Sequence, residues 1–83
     1  MGFDNERLKH QGRLREAELQ AQGLRLRCEG LIRSIRDCLD PFEPLTDMRC
    51  DVAAQQGVEL AGLQVDYRQV VAEITQLKKA LGL

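Results

Sequence analysis

The chain has 83 residues, 43% of them apolar and 30% charged, with 12 basic and 13 acidic side chains and a net charge of -1. That length holds one domain with a thin core, so association is expected, and so balanced a charge gives no overall field that would draw nucleic acid or an anionic membrane. No run approaches the roughly 20 apolar residues of a membrane span, and Met1 to Arg7 lacks the apolar centre of a secretory signal, so a cytoplasmic protein is expected.

The first predicted helix starts at Asp4 or Asn5, either able to cap the free amides of a first turn. Leu14, Ala17, Ala21, Leu24, Cys28, Leu31, Ile35 and Cys38 then recur at spacings of three and four, which puts one side chain per turn on a single stripe. Glu16 to Arg27 shows none of the two-residue alternation of a strand. Phe3, Arg7 and His10 would extend the stripe backwards, but two of the three are polar, so the seam should weaken toward the N-terminus. The pairs Glu29/Arg33, Arg33/Asp37 and Arg36/Asp40, each four apart, suit a solvated helix face.

Pro41 ends this helix at or before Asp40, because it disfavours helical geometry in the residue ahead of it and has no amide proton. Phe42 and Leu45 would be costly to leave in water, so they are expected to fold back over the end of the molecule. Thr46 or Asp47 can cap a second helix, with Asp47 and Asp51 near the positive end of its dipole. Its seam reads Ala53, Gln56, Leu60, Leu63, Tyr67, Val70, Ile74, Leu77 and Leu81, interrupted only by Gln56. Lys78 and Lys79 suit its last turn and Gly82 its stop.

The expected fold is therefore all-α: one domain over residues 1–83, an antiparallel, coiled-coil-like hairpin of two helices, about 4–39 and about 47–81, joined by a loop over about 40–46. Counting outward from the loop sets Leu24 near the Leu63 to Tyr67 turn and Cys38 near Cys50.

A second apolar line runs along each helix: Leu19, Gly23, Leu26 and Gly30 on the first, and Val58, Ala61 with Gly62, Val65 and Ala72 on the second. A hairpin needs only one buried stripe per helix, so these lines would face water, and contiguous exposed apolar surface marks an interface. Glycine inside a helix costs up to about 1 kcal/mol relative to alanine, and close approach by another helix would account for it. The expected partner is a second copy, two hairpins forming a homodimeric four-helix bundle, or a foreign protein held in a groove.

Signals for chemistry are sparse. His10 is the only histidine and stands far from Cys28, Cys38 and Cys50, so no metal site, cofactor or catalytic centre is expected. Three cysteines fit a reducing compartment, with Cys38 and Cys50 packed as small apolar groups near the loop. Arg13, Arg15, Arg25 and Arg27 bias the first helix toward nucleic acid, an alternative that Glu16, Glu18 and Glu29 dilute. Tyr67 belongs to the seam, which leaves no platform for stacking bases.

Three segments carry a resemblance: Phe3-Asp4-Asn5-Glu6-Arg7-Leu8-Lys9; Gly30-Leu31-Ile32-Arg33-Ser34-Ile35-Arg36-Asp37 leading into Leu39-Asp40-Pro41-Phe42-Glu43-Pro44; and the ending Ile74 to Leu81. Together they resemble small proteins of Mu-like transposable phages and prophages. The resemblance implies a helical hairpin and an accessory role in phage development, and carries over no functional residue. The function expected is a non-enzymatic interaction module that self-associates and binds or modulates a host or phage protein.

Overall fold

In a computed structural model, which describes the backbone of residues 2–83 and the side chains from Asn5 onward, the chain forms two helices, α1 over Gly2–Cys38 and α2 over Cys50–Ala80. The seam and cap roles suggested for the Phe3 and Asp4 side chains lie outside the described residues. The α1 helix begins ahead of the expected caps, and Asn5 sits inside it.

The helices pack along the predicted seam. Leu14, Ala17 and Cys38 of α1 are buried, as are Ala53, Leu63, Val70 and Leu77 of α2 and Leu81 just beyond it, while every other seam position from Ala21 to Ile74 is half-buried. Two ion pairs fix the register, Arg13 to Glu73 at 3.2 Å and Arg27 to Glu59 at 3.8 Å. Between them α1 advances by as many residues as α2 retreats, which requires one continuous antiparallel alignment. Exposed pairs of this kind contribute at most about 1 kcal/mol, so apolar burial holds the helices together. The tightest cluster, Leu14, Ala17, Val70, Leu77 and Leu81 with Ala21, Leu24 and Ile74 against it, lies at the end remote from the loop. Among the described residues past Leu14 toward the N-terminus only His10 is even half-buried, its ring bonded back to the Glu6 carbonyl oxygen at 2.8 Å, as the polar seam positions Arg7 and His10 lead one to expect.

The loop departs from the sequence reading in three respects. First, α2 starts at Cys50 and not near Asp47. Two tight turns occupy the intervening residues: the Glu43 amide donates to the Asp40 carbonyl (3.1 Å) and the Asp47 amide to the Pro44 carbonyl (2.9 Å). Thr46 turns its hydroxyl to the Asp47 carboxylate, and Arg49 takes the cap position with no side-chain hydrogen bond to the helix. Second, Phe42 and Leu45 do not fold back; they are 94% and 78% exposed. Each occupies a corner of its turn, where the side chain points away from the chain, and the bond from the Phe42 amide to Asp40 Oδ1 (3.0 Å) locks that geometry. Third, the Arg49 amide donates to the Cys38 carbonyl (3.3 Å) and closes the loop, yet only Cys38 is buried there; Cys50 is exposed, Cys28 is half-buried, and all three thiols are free.

The far end of α2 follows expectation. Gly82, at φ 76°, lets its own amide reach the Lys79 carbonyl (3.1 Å) and the Leu83 amide reach that of Lys78 (2.8 Å), satisfying two acceptors that the helix end would otherwise strand.

Gln56 is the one polar residue in the α2 seam, and its Oε1 is buried without a hydrogen-bond partner. A buried acceptor left unpaired costs about 1–3 kcal/mol. Gln56→Leu should therefore raise stability by about 1–2 kcal/mol in urea titrations. A loss of stability would show that the amide makes a bond worth keeping.

Candidate interaction surfaces

Helix geometry sorts what the seam leaves over. Residues two apart on a helix lie about 200° apart around its axis, so Leu19, Gly23, Leu26 and Gly30, each two beyond a seam residue, run along the back of α1. The same holds for Val58, Gly62 and Val65 on α2, with Ala61 beside them. All eight are exposed, Leu19 and Leu26 at 61% each, Val58 at 76% and Val65 at 52%. A methyl group added at Gly23, Gly30 or Gly62 would meet nothing within 4 Å, so no neighbour inside the chain requires these glycines.

Because the seams face each other, the two lines point in opposite directions, along the two narrow edges of the hairpin. One flat partner covers either line but not both. The sequence reading joined these lines to the four-helix bundle; the fold separates the two ideas, since hairpins stack into a bundle through their broad sides.

The broad sides differ in chemistry. One carries Arg13 and Arg27 of α1 against Glu73 and Glu59 of α2. The opposite side holds an open groove of about 280 Å³ lined by Arg25, Cys28, Ile32, Leu60, Gln64 and Tyr67. A second depression, of about 410 Å³, shares Arg25 and Tyr67 with it and reaches Ala21, Leu26, Ile74 and Lys78, so the groove continues toward the termini and touches the α1 edge at Leu26. Ile32 and, two turns on, Leu39 stand exposed along the α1 rim, and Val71 along the α2 rim. Sequence spacing hid this surface because Cys28, Leu60 and Tyr67 count as seam positions; each is only half-buried by the other helix.

Of the four arginines of the nucleic-acid alternative, Arg15 is exposed and the other three stand in ion pairs. Arg13 and Arg27 pair across the hairpin, and Arg25 pairs with Glu29 at 3.5 Å along α1, taking the carboxylate that spacing had assigned to Arg33. Among the described residues no group of three or more His, Cys, Asp or Glu side chains is placed to hold a metal ion, and no helix is long and apolar enough to cross a membrane.

Compared with known protein families, curated proteins and solved structures, the chain matches none.

Proposed function

We propose that this chain is a non-catalytic, cytoplasmic protein–protein interaction module, a helical hairpin that self-associates and binds or modulates another protein. The exposed line of Leu19 and Leu26 on α1, opposed by Val58 and Val65 on α2, carries the reading. Large apolar side chains repeated along one helix edge present water with a continuous cost that only a partner removes. An amphipathic helix with anchors at such spacing also fits the helix-in-groove mode of recognition. A place in phage development rests on the resemblance of the three segments alone, and the partner would then be a host or phage protein.

The test is affinity capture from bacterial lysate with tagged protein, with and without nuclease. A discrete protein should survive nuclease and bind at least about 10-fold less to the variant carrying Leu19→Asp and Leu26→Asp. Replacing Arg13, Arg15, Arg25 and Arg27 by alanine should leave that capture in place. Capture that vanishes with nuclease, or with the arginines, would transfer the site to nucleic acid and sink the reading.

A further inference from the structure

We infer that the groove between Ile32 and Tyr67 is the self-association surface, and that its occupant is a second copy of this chain lying in the same direction, with both loops at one end. The inference deepens the proposed function and rests on its self-association.

Surface area gives the first argument. The chain exposes 6703 Å², whereas a globular protein of 9.4 kDa exposes roughly 5,000 Å². The excess, roughly 1,700 Å², is about twice the 800 Å² or so that each partner contributes to a standard stable interface. Its origin is the shape, 67 × 15 × 15 Å, in which two helices cover each other along one line only. Covering one broad side supplies the missing layer.

The second argument selects the side and the occupant. The side bearing Arg13, Arg27, Glu59 and Glu73 is already satisfied internally and would lose hydration on burial. On the groove side the half toward the loop is mostly apolar, with Cys28, Ile32, Leu39 and Leu60, whereas the half toward the termini mixes Glu18 and Lys78 with Ala21, Val71 and Ile74, and Arg25 stands at the border of the two. Stacked in the same direction, two copies match apolar half to apolar half. Turned end for end, Ile32 would face the mixed half and the two copies of Arg25 would approach each other. In the same-direction stack, α1 of one copy lies on α2 of the other, and all neighbouring helices run antiparallel, as they also would end for end, so the apolar match and not helix direction selects between the two.

That stack also accounts for two features the monomer leaves unexplained. Ile32 comes level with the partner's Ala54, within one turn of the partner's Gly57, where a missing side chain leaves room for it; a methyl group at Gly57 meets nothing within 4 Å in the single chain. The exposed Phe42 and Leu45 of both loops gather at one end of the bundle, where they can shield each other.

The experiment uses the full chain. Light scattering across a concentration series should give twice the 9.4 kDa chain mass. Ile32→Glu should weaken dimerisation at least about 100-fold with helical circular dichroism unchanged, since it buries a charge in the apolar half without a partner. Leu19→Glu, on the outer edge and outside both depressions, should leave the dimer intact. Spin labels on Cys50, with Cys28 and Cys38 replaced by alanine and the dimer mass confirmed, should lie roughly 20–30 Å apart, the width of a bundle with interaxial spacings of about 10 Å. Cys50 stands roughly 15 Å inside the loop end, so a label separation of roughly 40 Å or more, as end-for-end packing requires, would overturn the shared direction. A dimer that ignores Ile32→Glu but is lost with Leu19→Glu would overturn the groove and leave self-association standing. A monomer at all concentrations would overturn the pairing, while capture through Leu19 and Leu26 would still stand or fall by its own test.

Discussion

Leu77→Ala should destabilise the hairpin by about 2–4 kcal/mol, while Leu26→Ala should change stability by less than about 0.5 kcal/mol. Leu77 is 7% exposed and packs in the cluster with Leu14, Ala17, Val70 and Leu81, so truncating it removes buried methyl groups and leaves a gap that two rigid helices close poorly. A chain of this size has a total stability of roughly 4–12 kcal/mol, so the loss is a large share of the whole. In thermal melts it should appear as a fall of about 10–20 °C. Urea titration of both variants at one fixed low protein concentration checks the contrast, because association adds its own stability by mass action. Equal losses at the two positions would mean that Leu26 is buried in the folded species and that the seam does not dominate the core.

That contrast was legible from spacing alone. Leu77 and Leu26 have the same chemistry, and only the count of three and four from Val70 and Ile74, against the two-residue offset of Leu26 from Leu24, tells them apart. The features that spacing missed depend on hydrogen bonds it does not describe. Thr46 and Asp47 are both good helix caps, but the Pro44 carbonyl claims the Asp47 amide for a turn and α2 starts later. Phe42 is apolar enough to favour burial, yet the Asp40 side chain holds its amide and fixes it at a turn corner facing water. The groove was hidden for another reason. A seam pattern treats Cys28, Leu60 and Tyr67 as spent, whereas two helices in contact along one line cover only part of each, and the uncovered part lies on the side whose rim is Ile32, Gln64 and Val71.

Replacing Gly23, Gly30 and Gly62 together by alanine should stabilise the isolated hairpin by about 1.5–3 kcal/mol and raise its melting temperature by roughly 10 °C. Each lies inside a helix, none has a positive φ, and the new methyl groups meet no atom within 4 Å, so the folded chain accommodates them while the unfolded chain loses freedom. Gly23 and Gly30 lie two turns apart on α1, and Gly62, level with Gly23, lies on the opposite edge, so none touches another and their effects should add. The same variant tests why such costly residues occupy the outer edges. If another helix approaches the backbone closely there, three added methyl groups push it outward, and capture of the partner should fall even though the hairpin is more stable. A triple variant that is both more stable and fully active in capture would strip the glycines of any role in binding and leave Leu19, Leu26, Val58 and Val65 as the surface. A triple variant that is more stable but binds poorly would show that the chain gives up helix stability at those three positions to let a partner come close.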